Sequence, residues 1–225
     1  MSLILHIDTH LQTATVSLAE GKKVIHSLSS LNQKEHASFL QPAIRQILVD
    51  TSRSIAELDA IAVVAGPGSY TGLRVGLSTA KGLCYALQIP LIAINSLEWM
   101  AYAAKDEPVD LLCPMIDARR NEVFAAVYRR TGEEVESPAS VILHSDSYKI
   151  LLRDNKILFF GDGSEKFRVM FSDNNAIFTR VVQDCSQLAE ISSERFEKSV
   201  FTDLAYSEPI YVKGFFKAPA PQQAL

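Results

Sequence analysis

The stretch IAVVAGPGSYTGLRVGLSTAKGLCYALQIPLIAIN, Ile61 to Asn95, decides the architecture. Ile61 to Ala65 and Leu91 to Ile94 are short, wholly apolar runs without alternation, which is the pattern of strands covered on both faces by helices. Between them, Gly66-Pro67-Gly68 makes a turn and about Thr71 to Leu87 reads as a helix. Strand, helix and strand in that order form a βαβ unit with a parallel sheet. A glycine turn feeding a helix N-terminus can seat a phosphate. Here Gly66, Gly68 and Gly72 are spaced one residue too long for a dinucleotide fingerprint, and no Gly-Lys-Ser/Thr follows to make a phosphate loop. The glycines therefore read as a tight turn and a close approach of helix to sheet.

Within the helix, Gly72, Gly76, Ala80 and Cys84 recur every four residues and put small side chains on one face. Interior glycines cost a helix about 0.5–1 kcal/mol each relative to alanine, so something must pack closely against this stripe. The chain's own sheet and a helix from another chain both satisfy that requirement.

Working outward, a chain of 225 residues that is 48% apolar has ample material for one large domain or two small ones. Its net charge of −4 is not that of a nucleic-acid binder, which shows a basic stripe or a high pI. Cys84, Cys113 and Cys185 are odd in number and lack CxxC spacing, as expected of reduced thiols in a cytoplasmic protein. The apolar run at the start is broken by His6 and Asp8, too soon for a signal peptide, and no segment reaches the roughly 18 apolar residues of a membrane span.

Before the central unit, Leu3 to Thr9, Ala14 to Leu18 and Lys23 to Leu28 read as an antiparallel meander. A helix follows from about Ala37 to Val49, with Pro42 placed near its first turn, and then a helical turn at Ser54 to Leu58. After the unit, Ser96 is a candidate cap for a helix over Leu97 to Ala104. The charged, Pro-containing stretch Lys105 to Asp110 is the best domain boundary, giving lobes of 1–106 and 107–225.

Beyond the boundary the pattern restarts. Leu111 to Tyr128 sets a strand ending in Ile116-Asp117, a polar turn and a second strand, as the opening segment does at Ile7-Asp8; ILFFGDG (Ile157 to Gly163) echoes IAVVAGPG (Ile61 to Gly68). Two echoes in the same order imply an internal duplication. Short elements are expected at Val141 to Leu143, Ser147 to Leu152 and Glu165 to Phe171. A last strand at Ile177 to Val182 and a helix over Ser186 to Ser199, capped by Ser186, complete the pattern. The tail has an anchor at Tyr211-Val212 and frays beyond it.

A strand ending in Asp, then a hairpin, repeated in a second half, is the layout of the actin and sugar-kinase superfamily, in which each half offers a phosphate loop. Asp8-Thr9-His10 and Asp117-Ala118-Arg119-Arg120 both lack the glycine that lets backbone approach phosphate oxygens. Asp8, Asp117 and Arg119 thus make a possible but degenerate nucleotide site.

IDT at Ile7 to Thr9, GPGSYTGLRVGLSTAKGL at Gly66 to Leu83, INSLE ending at Glu98, MIDARRNEVF at Met115 to Phe124 and EPIYVK at Glu208 to Lys213 together resemble the TsaB (YeaZ) family of bacterial tRNA threonylcarbamoyladenosine biosynthesis proteins. The likeness runs over nearly the whole chain; His10 stands where small polar residues are usual. It implies a duplicated ribonuclease H-like, actin/sugar-kinase-like α/β fold of two lobes. It also implies a cytoplasmic, non-catalytic scaffold that binds the catalytic paralogue TsaD together with TsaE. Such a scaffold would dimerise when alone and reach tRNA only through the complex. TsaD carries an HxxxH metal motif after the strand that follows the shared helix; in that register this chain has Ser96 and Met100, which cannot replace two imidazoles. No metal, cofactor or catalytic residue of its own is therefore expected. His6 and His10 lie on a strand and its turn and share no helical face, which makes them structural, and His36 is open as an interface or cap residue.

The competing readings are an ATP-binding kinase-like enzyme and a metallopeptidase-like hydrolase. The poor loops argue against the first and the missing histidines against the second. The family's helical bundle places the partner interface on the two helices of the first lobe, with Phe39, Ile44, Gly72, Leu73, Gly76, Leu77, Ala80 and Cys84 as its candidate residues.

Overall fold

The computed structural model describes residues 1–32 and 35–212. The fraying expected of the tail falls beyond Val212, outside the described residues.

The first sheet is built on β1 (Leu3–Asp8), which pairs antiparallel with β2 (Ala14–Glu20) and parallel with β4 (Ala60–Gly66). With β3 (Lys23–Ser30) and β5 (Leu91–Asn95) the order is β3-β2-β1-β4-β5. Strand β1 is buried along its whole length because helices cover both sides. Its odd positions Leu3, Leu5 and Ile7 face α1 (His36–Asp50) and α2 (Tyr70–Leu87). Ile4, on the other side, joins Val64, Ile94 and Trp99. Trp99 belongs to α3 (Ser96–Ala103).

The second sheet repeats the plan. Here β6 (Leu111–Asp117) is central, antiparallel to β7 (Glu122–Arg129) and parallel to β9 (Ile157–Phe160). With β8 (Glu134–Ile142) and β10 (Ala176–Phe178) the order is β10-β9-β6-β7-β8. Thus β1 and β6 occupy equivalent places, each ending in the aspartate read from sequence. The glycine echo holds in the backbone too: Gly66 ends β4 with φ +114° and Gly161 follows β9 with φ +96°, both where an L side chain is strained. This is the duplicated two-lobe ribonuclease H-like α/β fold expected.

Several boundaries differ for local reasons. Strand β8 starts seven residues ahead of the expected Val141, because its exposed Glu134 to Glu136 and its Pro138 carry no buried pattern; it is an edge strand, where proline is tolerated. Strand β10 ends at Phe178 rather than continuing to Val182. Pro42 lies in the second turn of α1. The cap of α3 is Asn95, whose Oδ1 accepts from Leu97 N at 2.8 Å, while Ser96 Oγ donates to the Pro67 carbonyl at 2.5 Å. Helix α4 (Lys149–Leu152) and α5 (Ser164–Arg168) are single turns. The last helix, α6 (Cys185–Glu197), is capped by Asp184 in a capping box with Gln187, not by Ser186.

Helix α6 returns to the first sheet, where Leu188 and Ile191 pack with Ile4, Ala62 and Ile92. Arg195 fastens it there, donating to Ala93 O at 2.7 Å and pairing with Glu98 at 2.5 Å. The chain then runs along β5, with Thr202 N donating to Leu91 O at 2.8 Å, and ends against β4, with Ile210 N donating to Ala65 O at 2.8 Å. Tyr211 anchors this segment to α2, accepting from Arg74 Nε at 3.0 Å.

Candidate functional site

The small stripe of α2 faces inward. A Cβ on Gly72 would overlap the Thr9 carbonyl oxygen, and one on Gly76 would overlap Thr9 Oγ1 and touch Ile7. Ala80 and Cys84 continue the stripe into the core, with no exposure at either residue, and Leu73, Leu77 and Ile44 are buried there as well. This corrects the placement of Gly72, Leu73, Gly76, Leu77, Ala80, Cys84 and Ile44 on a partner surface: β1 of the same chain is what approaches. Of the expected interface residues only Phe39 keeps exposed surface, being half-buried beside the same core.

The turn ahead of α2 is likewise used internally. Ser69 N donates to the His10 carbonyl at 2.6 Å and Ser69 Oγ caps Gly72 N at 3.4 Å. A Cβ on Gly68 would overlap the His10 carbonyl oxygen. The glycines thus let the helix start sit on the β1–β2 turn.

Asp8 lines one cavity and Asp117 and Arg119 another, the two sharing His10 and Asp162. Asp8 Oδ1 accepts from His10 N at 3.0 Å and lies 2.6 Å from His10 Nδ1. A carboxylate only accepts, so the imidazole carries its proton on Nδ1, and in the neutral ring Nε2 is a bare acceptor. Asp117 and Arg119 line a neighbouring cavity of about 620 Å³ with His10, Gly68 to Thr71 and Asp162. Asp117 Oδ1 accepts from Lys166 Nζ at 2.6 Å and from Arg119 N at 2.5 Å. Burial pushes the Asp117 carboxyl up, but the Lys166 bond and charge and the Arg119 N–H outweigh it and hold it below the usual carboxylate range. Arg119 and Arg120 both have positive φ, 71° and 52°, in the tight β6–β7 hairpin.

The remaining residues singled out in the sequence sit in the framework. Met100 is buried in the second core cluster. His36 opens α1 and bonds through Nε2 to the Gln12 carbonyl at 3.1 Å, tying the helix start to the β1–β2 turn. His6 Nε2 lies 2.7 Å from Ser192 Oγ, which itself donates to Ala189 O at 3.1 Å. Which of the two atoms donates follows from the imidazole tautomer. Burial lowers the His6 pKa to about 4, opposed in part by the Ser17 backbone. Cys84 and Cys113 are buried and Cys185 half-buried, all as free thiols; burial pushes Cys84 up to about 11.

One group escaped the sequence reading. Period two puts His6 and Asp8 on the same side of β1, and the hairpin register sets Ser17 opposite His6 and Thr15 opposite Asp8, with Ser29 of β3 beyond. Polar residues at alternate positions of strands that should be covered on both faces were the available signal.

Comparison with known proteins agrees with the fold. The architecture is that of the duplicated ribonuclease H-like class, with phosphate-loop positions that carry no glycine cradle. A family model described as "TsaD: tRNA N6-adenosine threonylcarbamoyltransferase" matches residues 28–211. The "tRNA threonylcarbamoyladenosine biosynthesis protein TsaB" of Bacillus subtilis strain 168 is 34% identical over 174 residues, covering 76% of this chain and 75% of the relative. That of Escherichia coli K12 is 25% identical over 221 residues, 93% and 94% of the two chains. The crystal structure of an uncharacterized protein with similarity to peptidase YEAZ from Pseudomonas aeruginosa superposes with a TM-score of 0.81 at 24% identity, over 95% of this chain and 100% of that one. The chain belongs to the TsaB (YeaZ) family. Among the described residues, no helix is long and apolar enough to cross a membrane.

Proposed function

We propose that this chain takes part in tRNA threonylcarbamoyladenosine biosynthesis as a cytoplasmic, non-catalytic scaffold. It binds the catalytic paralogue TsaD together with TsaE, pairs with a second copy of itself when alone, and meets tRNA only through the complex. The lobes divide near 106/107, with α6 and the segment after it packed on the first. The observation that supports the non-catalytic reading is the internal use of loop groups: Ser69 N donates to the His10 carbonyl, His10 N to Asp8 Oδ1, and Arg119 N to Asp117 Oδ1. N–H groups that a phosphate loop turns to its ligand are here bonded within the chain.

The purified chain is expected to show no ATPase, kinase or peptidase turnover, with or without divalent metal. Turnover that co-elutes with the protein and disappears in Asp8→Ala would defeat the scaffold reading.

The docking surface in this reading is the outer side of α1 and α2. There α2 has a second row of small residues at four-residue spacing, Ser78, Gly82 and Ala86, all exposed, flanked by half-buried Val75, Thr79 and Leu83 and by exposed Tyr85. Phe39 of α1 is half-buried and packs against the same core as Val75 and Leu83. Small residues let a partner helix approach at the roughly 8–10 Å of packed axes. A Cβ on Gly82 meets nothing within 4 Å, so Gly82→Leu is expected to leave the monomer folded. Co-elution with TsaD and self-association should both weaken at least about tenfold, the effect of about 1.4 kcal/mol. Unchanged association on gel filtration would move the interface elsewhere.

A further inference from the structure

The inner cluster of the second sheet, built on Leu112, Ile116, Leu158 and Phe160, takes apolar side chains from the first lobe at two places among the described residues. One is α3 and its end, with Leu97, Met100, Ala101 and Ala104; the other is Leu11 alone. Helix α3 is shared by the two lobes, because its Trp99 packs with the first sheet and its Glu98 pairs with Arg195 of α6. Leu11 has no such company. It is a half-buried leucine in the turn between β1 and β2.

That turn is fixed through its backbone. The residues on either side of Leu11 are held by the starts of α2 and α1: His10 O accepts from Ser69 N at 2.6 Å, and Gln12 O lies 3.1 Å from His36 Nε2. The Leu11 side chain therefore crosses to the second lobe from a rigid mount. Around it the lobes leave space. Leu11 lines three cavities, of about 490, 720 and 620 Å³, and Asp162 of the second lobe lines all three with it. A packed interior holds few voids larger than a water molecule. The junction on this side of α3 is thus a hollow one, crossed by a single apolar side chain.

We propose that Leu11 is a latch between the lobes. Seated in the second cluster it keeps the lobes at one angle and the cleft divided; withdrawn, it lets the second lobe turn about α3 and joins the cavities into one open cleft. Withdrawal puts the leucine in water, so the hydrophobic effect holds the latch shut. Hinged domains move about a few such loop positions. The latch stands apart from the scaffold reading, since it concerns the angle within one chain and no partner.

The test measures that angle in the full chain by pulsed electron–electron double resonance. Nitroxides are placed at the exposed positions Arg45 of α1 and Arg153 after α4, through Arg45→Cys and Arg153→Cys. Cys84 and Cys113 are buried and escape labelling, and the half-buried Cys185 is removed by Cys185→Ser, that protein being the reference. One narrow distance distribution is expected for the reference. Leu11→Ala should stay folded, because each sheet keeps its own core, and should raise the share of a second distance about fivefold, as loss of half a leucine's burial does. Leu11→Met, of similar volume, should restore the single distance. Three results would each overturn the proposal: a distribution unchanged by Leu11→Ala, one as broad in Leu11→Met as in Leu11→Ala, or an unfolded Leu11→Ala chain, which would make Leu11 a core residue needed for folding.

Discussion

Gly72→Ala should lower the stability of this protein by about 3 kcal/mol or more, although it adds one methyl group and raises intrinsic helix propensity. The new Cβ overlaps the Thr9 carbonyl oxygen and presses on His36 Nδ1 at 3.3 Å. The first obstacle is backbone and cannot rotate away. Thr9 is also pinned from the other side, its Oγ1 donating to the Gly72 carbonyl at 2.7 Å. Helix α2 would have to lift from β1, opening the core that Leu77, Ala80 and Cys84 share with Leu5 and Ile7. For a chain of this length the loss corresponds to a fall in Tm of about 6–12 °C. Gly82→Ala is the control. On the outer side of the same helix its Cβ meets nothing, and the gain of about 0.5–1 kcal/mol in helix propensity should raise Tm by about 1–4 °C. Thermal denaturation of the two variants side by side decides the orientation of α2: equal Tm values would mean that the stripe does not face the sheet.

Mild acid should destabilise the fold through His6. Burial lowers its pKa from 6.5 to about 4, so the folded state holds the ring neutral while the unfolded chain takes up a proton. The neutral ring's contribution is fully present above about pH 6.5 and is lost as pH falls toward 4. Integrated over that window it amounts to about 3 kcal/mol. Urea midpoints measured from pH 7 to 4 should therefore fall more steeply for the native chain than for His6→Gln, which has no proton to gain. Parallel pH profiles for the two proteins would show that the imidazole is not held neutral.

The parts of the fold readable in the sequence were those whose burial is uniform. Strands β4 and β9 are apolar throughout and β5 and β6 up to their last residue, and the paired aspartates and glycine turns mark the duplication in the sequence itself. Edge strand β8 was mostly missed because it is exposed and contains Pro138. The side of α2 that faces the sheet was not legible, for a specific reason. The helix carries two rows of small residues, Gly72-Gly76-Ala80-Cys84 and Ser78-Gly82-Ala86, and composition does not say which one the sheet takes. That choice is made by Thr9, at the end of a strand some sixty residues earlier, whose carbonyl and hydroxyl need a neighbour without a side chain. The polar group around His6 was hidden similarly: its members come from three strands, and only the hairpin register brings Ser17 opposite His6.

The return of α6 to the first sheet bears on how the chain is made. A ribosome releases β1 to β5 first, and α1 and α2 can cover one side of that sheet as soon as they emerge. The opposite side, with Ile4, Ala62, Val64, Ile92 and Ile94, is finished by Leu188 and Ile191. Nearly a hundred residues of the second lobe must be synthesised in between. At about 5–20 residues per second the nascent first half spends several seconds with an apolar face uncovered. The late helix is thus a closing step that couples completion of synthesis to burial of the first core, and a chain stopped before Cys185 would be exposed to chaperones and proteases as an unfinished sheet.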